Sequence, residues 1–384
     1  MVKTIGIILN GATGRICSTQ HLENSLIPIR ENKDLLVNGE IVTPELLLLG
    51  RNEKKLSEIA NKFKIQNWTT DVNSALADQN YPIFFDAAST HLRLNLLKNA
   101  IDAGKHIYTE KPLAPSVEDG KILLQNASSK NIKHGVVEDK LFVPGLRKMN
   151  HLIKENFFGR IVNFNLTFGW WVFDGTSQKS QRPSWNYKKS GGGGLLFDMY
   201  PHWRYVIEGL LGPIKRVVSA NWTAQLDRVD EEESSYKVDV EDSSATILEL
   251  DSGAFGTILS SWATRVRVED LFTLQIDGTE GSGFSTLRNC WTQRASSTPR
   301  ITGFNLGGDK TTLEFKTNFL QDWEEVREIA TYKNPYRFGW EGFIEHVLTD
   351  APFISDFSAG IRDIELSEAC LKSGVTNSWI PLSK

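Results

Sequence analysis

The stretch IGIILNGATGRIC, Ile5–Cys17, decides how the first half of the chain must fold. An apolar run ends at Asn10, and Gly11 and Gly14 follow before the pattern turns helical. A strand that is apolar at successive positions is buried on both faces, which means a parallel sheet covered by helices on both sides. Gly11 permits the tight turn at the strand end. Gly14 lets backbone N–H groups approach a pyrophosphate at a helix N-terminus. The spacing is GxxGxxC, so Cys17 stands where a dinucleotide fingerprint usually has its third glycine. Ala12, Thr13 and Arg15 complete this loop and belong with the glycines to the expected cofactor site.

Working outward, short apolar runs alternate with helical patterns up to residue 137. Strands are expected at Thr4–Leu9, Leu46–Leu49, Ile83–Ala87, His106–Tyr108 and His134–Val137. Helices are expected at Lys54–Lys64, Leu92–Ala103 and Val117–Ser129, and Gln20–Thr43 reads as a helix plus an insertion. This alternation predicts an α/β domain over 1–137 that binds a dinucleotide. Ligands of such sheets sit at the carboxyl ends of the strands, which adds Arg51, Asn52, Ser89, Thr90, His91, Glu110 and Lys111 to the cofactor set. The second strand runs into GRNEKK, with Gly50 where an NAD-preferring site usually has a carboxylate for the ribose. A small residue followed by Arg51 suits a 2′-phosphate, since guanidinium pairs with phosphate through two N–H bonds. NADP is therefore favoured over NAD.

From residue 138 the texture changes. A helix at Pro144–Glu155 leads to the strand RIVNFNLTFGWWV, an irregular loop over Phe173–Gly194, and a helix from about Tyr200 to Leu211. Adjacent strands follow at Ile214–Thr223, Ser244–Leu250, Ala254–Trp262, Phe272–Gly278 and Gly283–Leu287, some joined by hairpin-type turns. Residues 138–384 thus read as an α+β domain with an antiparallel sheet. The tract IRDIELSEACLKS near the end is an amphipathic helix.

Composition narrows the function. The 384 residues are 40% hydrophobic and 23% charged with net charge −4, and no long basic run offers a surface for nucleic acid. The three cysteines are far apart and form no CxxC, which argues against disulfides and zinc and suits a reducing cytoplasm. The N-terminus reads as a buried strand and not as a leader, and no stretch approaches a membrane span. Eleven tryptophans are many, and aromatic faces stack well on sugar rings.

Two further stretches carry chemistry. AGKHIYTEKPLA, Ala103–Ala114, places Glu110, Lys111 and Pro112 just past a strand end. SGGGGLLFDMYPHWR, Ser190–Arg204, has Asp198 at an expected N-cap, Pro201 in the first turn and His202 one turn beyond Asp198. With the N-terminal glycine loop, these resemble the glucose–fructose oxidoreductase, inositol dehydrogenase and rhizopine-catabolism (Gfo/Idh/MocA) family, whose second motif reads GGGxLxDxGxHxxD. The resemblance extends to the C-terminal IRDIELSEACLKSG. Departures are Cys17, the Gln20–Thr43 connection, Met199–Tyr200–Pro201 inside the motif, and Lys140 where the family commonly has Arg.

The resemblance implies a Rossmann domain over 1–137 beside an α+β domain over 138–384 whose large, open, mostly antiparallel sheet serves substrate binding and oligomerisation, with the nicotinamide at their junction and a cis bond before Pro112. It implies an NAD(P)-dependent oxidoreductase that moves a hydride between the nicotinamide and a secondary hydroxyl or ketone of a sugar, glycoside or cyclitol. His202 is then the proton-transfer residue, because its ordinary pKa lies near working pH. Lys111 stabilises charge on the reacting oxygen, and Asp198 orients substrate or the Lys/His pair. Lys140, Trp185, Tyr187, Tyr200 and Arg204 are candidate substrate contacts; for Trp170 and Trp171 core packing is the better reading. The glycine run is expected to let backbone pass close to nicotinamide and substrate. A glycoside-cleaving cycle with transient oxidation is an alternative, and a non-enzymatic dinucleotide sensor comes last because Lys111 and His202 are both present. No metal is expected. The family often assembles as dimers or tetramers, so a homo-oligomer is expected.

Overall fold

Both faces of the first strand are buried, as its apolar run requires. β1 (Val2–Asn10) pairs in parallel with β3 (Glu40–Leu49) on one side and β5 (Ile83–Asp86) on the other. β6 (His106–Thr109) and β7 (His134–Val136) continue in parallel beyond β5, while β2 (Leu36–Val37) and β4 (Asn67–Thr69) border β3. The computed structural model describes residues 2–299 and 320–383. Ile5, Ile7 and Leu9 pack with Leu56 and Ala60 of α2 (Glu53–Phe63), and with a turn of α1 (Ile27–Asn32). Ile8 faces the opposite layer, with α3 (Val72–Ala77), α4 (Thr90–Asp102) and α5 (Val117–Ser129). The order β3-β1-β5 puts a topological switch at β1, where such sheets bind their ligands.

Among the described residues the second sheet has nine strands. It comprises β8 (Ile161–Gly169), β9 (Ile214–Trp222), β12 (Ser243–Leu250), β13 (Phe255–Ser261), β14 (Phe272–Gly278), β15 (Gly281–Ser285), β16 (Cys290–Arg294), β17 (Glu324–Glu325) and β18 (Ile380–Pro381). Among the described residues only the β8–β13 pair is parallel, so the sheet is mostly antiparallel. β10 (Asp227–Val229) and β11 (Ser235–Lys237) form a separate hairpin. α6 (Pro144–Lys154), α7 (Leu195–Leu211) and α9 (Phe357–Thr376) pack on one face, where Phe164, Leu166, Leu248 and Ile258 meet Trp203, Val206 and Cys370. On the other face, Val162, Ile247, Phe255 and Leu259 are exposed.

The chain past residue 138 also serves the first sheet. α8 (Pro335–Thr349) brings Trp340, Phe343 and Ile344 into the core beside Leu9, Phe85 and Tyr108. The Tyr108 and Phe343 rings stack at 4.8 Å. α9 lies between the layers, with Phe357 and Ile364 in the first domain's core and Leu366 and Cys370 in the second's.

Three local expectations need correction. β3 starts at Glu40, six residues before the expected Leu46, because β2 folds back on it as a hairpin. Cys17–Leu26 winds as a π-type helix, so the Gln20–Thr43 connection holds most of that turn, α1 and the hairpin. α7 starts at Leu195, and Asp198 and Pro201 lie inside it, not at its cap. The cap is tertiary: Gly194 precedes the helix at φ 120°, and Glu241 accepts from the Leu195 N–H with its carbonyl and from the Leu196 N–H with its carboxylate. No helix among the described residues is long and apolar enough to cross a membrane.

Candidate active site

The carboxyl ends of β1, β3, β5 and β6 form one crest of loops. Gly11 has φ 76°, and a Cβ there would come within 2.9 Å of the Ala87 carbonyl, so only glycine fits this crossing. The Gly14 N–H closes the turn on the Gly11 carbonyl at 2.8 Å. Below it, the Asn10 amide donates to Asp86 at 2.7 Å, and Asp86 also accepts from Arg93 Nε and the Ala88 N–H. Ala12 is buried, while Thr13 and Arg15 flank the opening. Gly50 and the exposed Arg51 end β3, and Asn52 spends its side-chain oxygen capping α2 through the Lys55 N–H. Ser89 and Thr90 open α4; the side chain of His91 lies outside the described residues. A glycine turn at a helix start, flanked by a second glycine and a cation, fits a dinucleotide: Gly11–Arg15 for pyrophosphate, Gly50–Arg51 for the adenosine ribose, and Ser89, Thr90, Glu110 and Lys111 toward the nicotinamide. Cys17 is buried, and burial, then Glu110 and Asp86, push its thiol far up, so it packs and does not react.

Lys111 follows β6, and its peptide bond to Pro112 is cis. Its Nζ donates to the Asp198 backbone carbonyl and to Asp198 Oδ1, both at 2.7 Å. An ammonium has three N–H groups, so one remains for a substrate oxygen. Asp198 Oδ2 accepts from Arg182 at 2.5 Å. Arg182 also reaches Asn186 at 3.2 Å, and its guanidinium lies over Trp262 and Trp170, 4.6 and 5.4 Å from their ring centroids. Burial would raise the Asp198 carboxyl, but Lys111 and Arg182 outweigh it and hold it well below the usual range. Glu110 braces the loop: Oε2 accepts from the Lys111 N–H, and Oε1 lies 2.8 Å from His21 Nε2. His21 Nδ1 accepts from the Trp340 indole at 3.0 Å, so α8 anchors the Lys111 loop.

One turn beyond Asp198, His202 presents a nearly buried ring. Its Nδ1 lies 2.7 Å from the Tyr205 hydroxyl, which donates to Asp139 Oδ1 at 2.9 Å. Lys140 Nζ binds the other Asp139 oxygen at 2.5 Å. Burial, then Lys140 and Lys111, hold the His202 pKa well below its ordinary value, against the opposing pull of Asp139 and Asp198. At neutral pH the imidazole is neutral and can accept a proton.

Of the substrate candidates, only Lys140 joins this cluster. Tyr200 turns into the sheet, its hydroxyl 2.8 Å from Ser244 and 2.6 Å from Thr246. Arg204 is buried in ion pairs with Glu138 and Asp363, and ties α7 to α9. Tyr187 is covered by Arg228 and meets Trp262 edge-on. Tyr200 and Arg204 have spent their polar groups on the fold, and the Tyr187 ring is covered, its buried hydroxyl without a hydrogen-bond partner among the described residues, which corrects their assignment as substrate contacts. Trp185 is exposed on the loop that carries Arg182. For Gly193 and Gly194 the reading of the glycine run is also corrected: a Cβ on Gly193 would sit 2.4 Å from the Asn186 carbonyl, and one on Gly194 2.7 Å from Glu241, so these two glycines pack against protein. Sequence reasoning missed Arg182, Asp139, Tyr205 and Trp262. Arg182 lay in the irregular loop close to the candidate Trp185, and Asp139 beside Lys140, but neither spacing discloses a partner distant in sequence. Among the described residues, no three His, Cys, Asp or Glu side chains converge as a metal cluster.

Comparison with known proteins agrees with this geometry. Residues 10–137 match the model of an oxidoreductase family with an NAD-binding Rossmann fold, and residues 146–283 match the GFO/IDH/MocA C-terminal domain. A D-xylose dehydrogenase of Paenarthrobacter nicotinovorans is 39% identical over 380 residues, 97% of this chain and 96% of that protein. A levoglucosan dehydrogenase of Pseudarthrobacter phenanthrenivorans is 29% identical over 60% of this chain and 62% of its own. The solved structure of a levoglucosan dehydrogenase with NADH and levoglucosan superposes with a TM-score of 0.81 over 100% of both chains, at 20% identity, a likeness of fold.

Proposed function

The chain belongs to the Gfo/Idh/MocA family of NAD-binding oxidoreductases, and from that premise we propose that it oxidises a CH–OH carbon of a small sugar, with D-xylose the first substrate to test. The observation that carries the reading is the convergence of Lys111 from the first domain with Asp198 and His202 of α7 beside the dinucleotide loops. A nicotinamide cofactor supplies the two-electron acceptor for the hydride. His202 Nε2 accepts the hydroxyl proton as the C–H bond gives up its hydride. The free Lys111 N–H stabilises the oxygen as negative charge develops there. Asp198 keeps Lys111 and Arg182 in place, and the exposed Trp185 offers an aromatic face to a sugar ring.

The finer features extend the same reading. Gly50 and Arg51 favour NADP over NAD, since no carboxylate opposes a 2′-phosphate there. The exposed apolar strand face favours a homo-oligomer. The test is a screen at the reduced-nicotinamide absorbance band with D-xylose, other aldoses, levoglucosan and inositols, each with both cofactors. Net cofactor reduction supports the dehydrogenase and separates it from glycoside cleavage by transient oxidation. Lys111→Met should lower kcat by about 10²–10⁴-fold while fluorescence titration finds cofactor affinity retained. Arg51→Ala should raise the KM for NADP by about tenfold and leave that for NAD near its starting value, consistent with one lost guanidinium–phosphate pair. Equal effects on both cofactors would remove Arg51 from the 2′-phosphate site.

A further inference from the structure

We propose that Tyr205 and Asp139 are positioning residues that hold His202 in the single tautomer able to act as a base at the substrate, an inference that rests on His202 being that base. The argument is a count of protons. Asp139 is buried and ionised, its carboxylate drawn far down against burial by the Lys140 ammonium and by hydrogen bonds from Lys140 and Tyr205, so it can only accept. Tyr205 is buried as well, and burial followed by the Asp139 charge keeps its phenol protonated. The phenol has one proton, and at 2.9 Å that proton belongs to Asp139 Oδ1. If it pointed elsewhere, two oxygen lone pairs would face each other in a buried site. The Tyr205 oxygen is therefore an acceptor toward its other neighbours. It accepts from the Lys140 backbone N–H at 3.1 Å and from His202 Nδ1 at 2.7 Å. Nδ1 thus carries the hydrogen, and Nε2 keeps its lone pair for the substrate hydroxyl.

The parts come from separate places in the chain. Tyr205 lies three residues past His202 on α7, in the last position of the GGGxLxDxGxHxxD pattern, where this chain has no carboxylate. Asp139 arrives from the segment after β7, in the first domain's sheet. The relay therefore spans the junction between the domains. When Nε2 takes the proton from the alcohol, the resulting imidazolium is held by its Nδ1–H bond to Tyr205 and by the Asp139 charge 3.6 Å away. Asp139 stays ionised throughout, as an orienting carboxylate does beside a catalytic histidine.

The test uses Tyr205→Phe, Asp139→Asn and His202→Gln in the full chain. In 15N-histidine-labelled protein, His202 is assigned among the seven histidines by its loss in H202Q. The wild type should show protonated Nδ1 and unprotonated Nε2, and Y205F should shift toward the Nε2–H form. Y205F should lower kcat by about 10–100-fold with KM within about threefold, part of what general-base catalysis contributes. D139N reads the charge. The groups facing His202 are Lys140 and Lys111, which lower its pKa, and Asp139 and Asp198, which raise it. Removing the Asp139 charge should move the acid limb of kcat/KM to lower pH, a displacement that a loss of packing alone does not produce. A wild-type signal from the Nε2–H tautomer, or a Y205F enzyme with unchanged kcat and acid limb, would overturn the relay. Full activity in H202Q would instead overturn the base assignment, while the labelled spectrum still reads the tautomer.

Discussion

Asp198 bears on both stability and catalysis, because two cations depend on one carboxylate. In an unfolded chain its carboxyl titrates near about 3.9, whereas in the fold Lys111 and Arg182 overcome burial and hold it lower. Between those two values the unfolded state binds the extra proton. The stability Asp198 contributes is therefore complete above about pH 4 and is lost as pH falls through the folded-state pKa. Asp198→Asn should accordingly lower Tm most near neutral pH, with the gap to wild type narrowing as pH drops below about 4. Thermal melts across that range check it; a gap that stays constant would mean that charge is not what Asp198 contributes. The same substitution should lower kcat, since Lys111 loses one of the acceptors that fix its Nζ.

At the scale of elements, α7 depends on glycines for a reason distinct from binding cofactor. Gly193 approaches the Asn186 carbonyl, which as backbone cannot easily yield, while a Cβ on Gly192 would meet nothing within 4 Å. Gly193→Ala should therefore cost about 1–3 kcal/mol and lower Tm, and Gly192→Ala less, its cost confined to backbone at φ 70°. Equal losses at the two positions would show that strain, not contact, governs the run. This element also marks where sequence reasoning reached its limit. β1, β3, β5, β6 and β7 were legible from their apolar runs, whereas the short β4, Asn67–Thr69, carries no such run and was missed. Lys111 was singled out because its motif follows a strand end, and Asp198 and His202 because their motif sets them one turn apart; the structure brings Lys111 and Asp198 into contact. The start of α7 was not, since Glu241, 45 residues on from Leu196, caps it. α8 was unreadable for a related reason. Its Trp340, Phe343 and Ile344 look like any core triad, and nothing local says that they complete the first domain's core and support Glu110 through His21.

For the whole molecule, the decisive feature is the second sheet's uncovered face. On the covered side Phe164, Leu166 and Ile258 are sealed by helices, whereas Val162, Ile247, Phe255 and Leu259 are exposed on the other side and, among the described residues, lie under no helix. The pairing places these side chains together: Ile247 stands opposite Thr257, Leu259 opposite Ala245 and Thr167, and Phe255 opposite Asn163. Scattered exposed leucines are ordinary, but a contiguous patch across several central strands is typical of an interface. A stable one buries about 1,200–2,000 Å² in total, within reach of a face this broad. The expectation is that light scattering finds two or more chains per particle. Ile247→Asp combined with Leu259→Asp should shift that mass to one chain, because charges placed at the centre of an apolar contact are left unpaired on burial. Both positions lie on the sheet face away from α7, so the monomer should retain measurable turnover. A wild-type monomer at micromolar concentration, or a double variant that keeps its mass, would assign this face to solvent.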